Sequence, residues 1–288
     1  MCSFGYDMDR VYAKRVKPTF PEWAAVYTTR DRIRPFRECS NERSTTEDEN
    51  PMYPSLAIGP ISLPTAQFFA LLAAWFGLSV LAQTGSHRRM DADSLWNLGF
   101  IMLAVGLIVA RFWHVVQFWS IYRDEPLLII SPRPGGFALG AGLAGAVLAG
   151  YAFLVWRRLN PVQVAAPLAV ALLAAGAVLD VSAFLTGSVV GTPTNMPWGL
   201  PYFGEVRHPV ALYRAGAMLL LALWLYLRGD PERPGRVVMQ ALLGYGLIRL
   251  VADGFLADPS ITLGGVRTSQ LVGLLLSLAA AAVLHRME

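Results

Sequence analysis

Cysteine is almost missing from this chain of 288 residues: Cys2 and Cys39 are the only two, and both precede the first long apolar block. A cysteine-ligated metal or a disulfide framework is thereby excluded from everything that follows that block. Lysine is equally scarce, with Lys14 and Lys17 alone in the same early stretch. Charged residues make up only 15% of the chain, against roughly 25% in an ordinary soluble domain. No apolar run near the N-terminus has the length of a signal-peptide core. Nor does a second hydrophobic half echo a first, as the inverted repeats of many transporters do. What is present in quantity is apolar: 55% of the residues are hydrophobic and the mean hydropathy is +0.44. These residues fall in long blocks, so the fold class is an all-α polytopic membrane protein. The net charge of +4 comes from arginines that mostly flank those blocks, which points to no nucleic-acid partner.

Residues 1–51 differ in character from the rest, with nine Lys/Arg and nine Asp/Glu. The segment "ECSNERSTTEDENP" within them has the polar, charged composition of a linker. They are expected to be a dispensable extension, or to precede the true start at Met52. Residues 52–288 form the membrane domain, opening on the amphipathic lead-in "MYPSLAIGPISLP". Seven spans follow, at 62–82, 95–119, 136–156, 163–187, 209–227, 237–256 and 268–286. Each is near the ~20 residues that a helix needs to cross the hydrocarbon layer. The third, rich in Gly136, Gly140, Gly142 and Ala146, has the small-residue spacing of closely packed helices. Eight arginines in the loops after the first, third, fifth and seventh spans put that side in the cytoplasm. The long loop between the fourth and fifth spans then lies outside, as a structured outer loop.

Ionisable residues inside a membrane span are costly and tend to be functional. Arg111 and His114 lie three apart in the second span, on one helical face. Asp180 sits among small apolar residues of the fourth. Tyr245, Arg249 and Asp253 recur every four residues in the sixth, "GYGLIRLVADGF". A structural intrahelical pair, which lets one helix tolerate an arginine, competes with a functional role for Arg249 and Asp253. A packed interfacial ring competes with one for His114. The outer loop adds Trp198, Tyr202 and Phe203, residue types suited to the headgroup level. It ends on Arg207, His208 and Pro209, where a helix N-terminus beside two basic groups suits an anion.

Taken in order, these pieces resemble the bacterial prolipoprotein diacylglyceryl transferase family. The resemblance covers about residues 52–288 and rests on an ordered set of segments. "MYPSLAIGPISLP" is similar to that family's start, "ARFWHVV" to its second helix, and "GGFALGAGLAG" stands at its Gly-Gly, His-Gly-Gly motif. "FLTGSVVGTPTNMPWG" follows the end of the signature Gly-Arg-x-Gly-Asn-Phe-x-Asn-x-Glu-x-x-Gly. "RHPVALY" matches a His-Pro-x-x-Leu-Tyr segment, "GYGLIRLVADGF" a Gly-Tyr-Gly-x-x-Arg helix, and "TSQLVGLLLSL" the closing Gln-led helix.

The resemblance implies transfer of the diacylglyceryl group of phosphatidylglycerol to a lipobox cysteine thiol of a prolipoprotein. It implies no cofactor and no metal, and a multi-pass place in the bacterial inner membrane with the active face outward. The candidate catalytic residues are Tyr245, Arg249 and His208. The candidate substrate-binding residues are Arg111, Gly191, Arg207, Tyr213 and Asp253. Several family polar positions are changed. Gly140 replaces a histidine, Asp180 the signature arginine, Ala183 and Thr186 two asparagines, and Ser188 a glutamate. Arg214 replaces an acid. If Asp180 faced Arg249, the site would be less cationic than the family pattern. The departures keep two alternatives open: a divergent paralogue, silent or acting on another lipid, and a small transporter that uses the intramembrane charges.

Overall fold

The computed structural model describes residues 53, 55–58, 61–129, 136–202, 204–257, 261, 262 and 266–287. The expectations for residues 1–51 and for a start at Met52 lie outside these residues, as do Arg133 and Phe203. The seven helices long and apolar enough to cross a membrane are α1 (Thr65–His87), α2 (Ala92–Gln117), α4 (Leu139–Arg157), α5 (Pro161–Leu185), α6 (Val210–Arg228), α7 (Pro234–Ala252) and α8 (Thr268–Arg286). A short helix α3 (Trp119–Asp124) follows α2. The described residues also form two short 3-10 helices (Pro126–Ile129 and Asp253–Phe255) and three small antiparallel hairpins: β1 (Ser55–Ile58) with β2 (Ile61–Pro64), β3 (Leu200–Tyr202) with β4 (Glu205–Arg207), and β5 (Ile261–Thr262) with β6 (Val266–Arg267).

Helix starts carry local signals. The Asp91 carboxylate accepts from the Ser94 amide at 3.0 Å and from its hydroxyl at 2.5 Å, capping α2. Asn160 caps α5 by accepting from the Val162 amide at 3.0 Å. Pro161 and Pro234 occupy the first helical positions of α5 and α7, where a missing N–H removes no helical bond. Most helix boundaries shift by a few residues from the sequence expectation. The lead-in is a hairpin rather than an amphipathic segment, so α1 starts at Thr65, and it runs on to His87. The fourth helical element starts at Leu139 rather than at residue 136.

Helix α5 is the hub, packing on α1, α6 and α7, while α2 pairs with α4 and α7 with α8. Its buried face is mostly small: Ala166, Val170, Ala174 and Ala177 meet Ala215, Met218 and Ala222 of α6 and Val237 and Ala241 of α7. Small side chains let helix axes approach where lipid gives no hydrophobic drive to associate. The small residues of α4 act in the same way, as packing. A Cβ on Gly142 would lie 2.7 Å from the Ala110 Cβ, whereas Gly140 faces open space. Large apolar side chains point outward instead; Leu71 is 74% exposed and Trp156 75%. That inversion of the soluble pattern is what a lipid surround requires.

The two ends of the bundle are tied separately. At the arginine-rich end, Arg88 donates to the carbonyls of Asp230 and Gly229, joining the turn after α1 to the turn after α6. Arg157 reaches Ser94 at 2.9 Å, joining the end of α4 to the start of α2. At the opposite end the Tyr53 amide donates to the Leu185 carbonyl at 2.8 Å. Isolated bridges there pair Gly191 with Leu256 and Pro193 with Arg207. The loop between α5 and α6 is thus fixed to the ends of both α5 and α7. It is structured, as its sequence suggests.

Candidate functional site

Three helices converge at this second end and bring four charges together. Asp180 lies near the C-terminus of α5, Arg214 in the second turn of α6, Arg249 in the last turn of α7, and Asp253 just past it in a short 3-10 turn. The Arg214 guanidinium bridges both carboxylates: Nη2 donates to Asp180 Oδ1 at 2.7 Å and Nη1 to Asp253 Oδ1 at 3.2 Å. Arg249 Nε lies 3.0 Å from Asp253 Oδ2. That distance makes an ion pair, but the N–H does not align with the oxygen, and Oδ2 accepts no hydrogen bond among the described residues. Arg214 Nε is also buried without a partner among them. Arg267 donates Nη1 to the carbonyls of Asp253 at 2.5 Å and Gly254 at 2.7 Å, so its charge faces backbone rather than a carboxylate.

Burial differs sharply across the quartet. The Asp253 side chain is 0% exposed and that of Arg214 6%, whereas that of Arg249 is 30% exposed. Unpaired, any of the buried charges would carry a large desolvation cost, which good pairing geometry offsets. Asp180 makes its ion pair with Arg214 rather than with Arg249. Asp180 and Arg214, two positions at which this chain departs from the resembled pattern, thus meet in a single ion pair. The quartet sums to zero, and Arg267 brings its surroundings to a net positive charge.

Arg249 also lines an open cavity of about 200 Å³ between α7 and α8, with Tyr245, Thr268, Ser269, Val272, Gly273 and Leu276. Among the described residues no acceptor meets its two terminal nitrogens. Next to the cavity the backbones of α7 and α8 nearly touch: a Cβ on Gly246 would lie 2.6 Å from the Gly273 carbonyl oxygen. Tyr245 and Arg249 thus share a wall, as their four-residue spacing predicts. Asp253 stands behind that wall rather than on it.

The other candidates gather around the outer loop. His208 Nδ1 and the Tyr213 hydroxyl are 3.2 Å apart, and the imidazole packs on Phe255 with centroids 4.9 Å apart. Arg207 pairs with Glu205 at 2.7 Å and donates to the Gly191 carbonyl at 3.1 Å. Gly191 is required sterically, since a Cβ there would sit 2.1 Å from the His208 carbonyl oxygen. Tyr202 is buried, donates to the Phe184 carbonyl at 2.6 Å, and has its phenol pushed up in pKa by burial. Arg111 stands apart from all of these. Its guanidinium donates to the carbonyls of Ile129 at 3.0 Å, Gly136 at 2.8 Å and Leu128. It also lies 5.5 Å from the ring centroids of Tyr122 and of Phe137. That arrangement secures the segment after α3. His114 packs its ring 4.6 Å from Phe118.

Sequence reasoning did not single out Arg214, Arg267, Thr268 or Ser269 as site residues. The reciprocal sign of the changes at Asp180 and Arg214 was the available signal for the first.

The chain matches the family description prolipoprotein diacylglyceryl transferase over residues 56–286. It is 32% identical over 211 residues to the phosphatidylglycerol–prolipoprotein diacylglyceryl transferase of Clostridioides difficile (strain 630), covering 71% of this chain and 84% of that protein. A protein of the same name from Trichormus variabilis is 31% identical over 249 residues, 79% of this chain and 88% of its own. One from Thermosynechococcus vestitus is 26% identical over 234 residues, 76% and 87% of the two chains. The match spans all seven apolar helices in full; by that extent, this chain belongs to the prolipoprotein diacylglyceryl transferase family.

Proposed function

We propose that this protein transfers the diacylglyceryl group of phosphatidylglycerol to the lipobox cysteine thiol of a prolipoprotein, at the outward end of a bacterial inner-membrane bundle. The observation that carries the reading is Arg249. Its Nε is paired with a buried carboxylate, no acceptor among the described residues meets its terminal nitrogens, and it lines an open cavity with Tyr245 and two hydroxyl-bearing residues. A guanidinium so held presents a fork that matches a phosphate bidentately. In the transfer, the thiolate sulfur attacks the terminal glycerol carbon. The sulfur–carbon bond forms, the carbon–oxygen bond to phosphate breaks, and glycerol phosphate leaves with the electron pair. Charge develops on that phosphate, so a fixed cation stabilises the transition state more than the ground state.

The thiol proton needs an acceptor. His208 is the candidate: with Nδ1–H donating to the Tyr213 hydroxyl oxygen, Nε2 carries the lone pair. Arg207 and Gly191 hold the loop that presents His208, and the arginine-rich opposite end supports an outward-facing site. A second reading is favoured by the hydroxyls of Thr186 and Ser188, which bond to the Ser182 and Ala183 carbonyls at the end of α5. In that reading the same phosphate grip serves a different acceptor or lipid.

Expression of the full chain in a transferase-depleted bacterium tests both. Restored growth with lipid-modified lipoproteins, lost in Arg249→Ala, supports transfer to prolipoprotein. Failure despite verified membrane insertion, with phosphatidylglycerol still bound, supports the second reading.

A further inference from the structure

Arg214 does not line the cavity, yet it contacts both carboxylates of the site, the fully buried one of Asp253 and the partly buried one of Asp180. Removing it would leave Asp180 and Asp253 with the single guanidinium of Arg249 between them. Their charge would then compete with any anion for that guanidinium, and the quartet would turn from neutral to negative. With Arg214 in place, Asp180 is satisfied on α5, one oxygen of Asp253 is satisfied, and Asp253 needs only the Nε edge of Arg249. The terminal edge of Arg249 is left facing the cavity. The contacts also join α5, α6 and α7, the three helices whose mutual placement sets the depth of Asp253.

We propose that Asp180 and Arg214 are positioning residues, a buried pair that sets the orientation and free charge of Arg249 and thereby the affinity of the site for an anionic phosphodiester lipid. The inference rests on the proposed transfer reaction for its kinetic readout, but the lipid affinity can be read without that reaction. What the pair must supply is one guanidinium in reach of two carboxylates, and the helix that carries it is secondary. Because Asp180 and Asp253 already meet the same guanidinium, a cation carried on α5 would remain within reach of Asp253. An exchange of the two side chains conserves the charge sum and is therefore functionally tolerated, although loss of the Arg214 charge alone is not.

The test uses the full chain purified in detergent and reconstituted in phosphatidylglycerol nanodiscs, as wild type, Asp180→Asn, Arg214→Gln and the exchange Asp180→Arg with Arg214→Asp. Thermal unfolding of each variant reports whether it folds. Steady-state kinetics with a lipobox peptide give KM for phosphatidylglycerol and kcat separately. Native mass spectrometry gives retention of phosphatidylglycerol over the zwitterionic phosphatidylcholine. Folded Arg214→Gln, which turns the quartet negative, is expected to raise KM about tenfold or more and lose the preference for the anionic lipid. Folded Asp180→Asn, which turns it positive, is expected to keep or strengthen that preference. The exchange is expected to recover most of the Arg214→Gln loss, the non-additivity expected of coupled neighbours. An exchange variant that folds but is no better than Arg214→Gln overturns the proposal. So do a folded Arg214→Gln with wild-type KM and lipid preference and a folded Asp180→Asn that loses the preference. If wild type transfers nothing, the transfer reading fails, and the lipid preference across the same four proteins decides the role of the pair by itself.

Discussion

Asp253 holds Arg249 by its Nε at a distance of 3.0 Å, from a position fully shielded from solvent. A carboxylate one turn below an arginine usually neutralises it, and a structural pair of that kind is the ordinary outcome for an arginine in a membrane helix. Here the same carboxylate is shared with Arg214, and the outer edge of Arg249 lines a cavity. The pair is structural on one side and available on the other.

Arg214→Met is expected to destabilise the bundle strongly. It removes the ion-pair partner of the partly buried Asp180 and one of the two partners of the buried Asp253, and losing one partner of a buried pair costs about 3–5 kcal/mol. Thermal unfolding in detergent measures it. A loss no larger than that of an exposed arginine, such as Arg233→Met in the turn before α7, would show that the pair contributes little.

Gly246→Leu is expected to separate α7 from α8. Its Cβ would meet the Ser277 Oγ at 2.4 Å and the Gly273 carbonyl oxygen at 2.6 Å, and backbone does not yield cheaply. Overpacking of this kind costs about 1–3 kcal/mol or more, and the cavity beside Arg249 should deform with it. Gly140→Ala is the matched control. Nothing lies within 4 Å of that position, so unfolding and phosphatidylglycerol turnover should stay at wild-type values.

Gly191→Ala should act through the outer loop. The added methyl collides with the His208 carbonyl oxygen at 2.1 Å, which forces the loop off the end of α7. Limited proteolysis within residues 186–209 should accelerate, and transfer should fall, while the unfolding of the helices changes little. Unchanged cleavage would contradict the close crossing of these two segments.

The cap of α2 gives a pH dependence. The Ser94 hydroxyl and then the Ser94 amide hold the Asp91 carboxyl below its ordinary pKa. A carboxyl depressed in the folded state adds stability above the unfolded value, about 4, and loses it as pH falls through the lower folded value. The melting-temperature gap between wild type and Asp91→Ala should therefore be constant near neutrality and narrow as the pH drops below about 4. A gap that widens on acidification has the wrong sign.

The helices were legible because apolar blocks of about 20 residues have few other fates. Arg249 and Tyr245 were legible because a four-residue spacing puts them on one face. The hairpin at Ser55–Pro64 was not, since two four-residue strands carry too short a pattern to separate from an amphipathic lead-in. Nor was the isolation of Arg111 legible. Its spacing from His114 suggests a polar face, but backbone carbonyls are its three acceptors among the described residues, and no side-chain pattern marks a carbonyl as free. Asp180 was visible as a buried acid, yet its partner lies on another helix, 34 positions later. Only the opposite signs of the two departures hinted that they belonged together.

The central claim is that Arg249 grips the lipid phosphate during transfer. Its most direct test incubates the purified chain with phosphatidylglycerol and a lipobox peptide and follows the mass of the peptide cysteine. The account predicts a diacylglyceryl mass gain with wild type, a sharply reduced rate with Arg249→Lys, which keeps the charge but loses the fork, and none with Arg249→Ala. A peptide left unmodified by wild type, or modified equally well by Arg249→Ala, would contradict it.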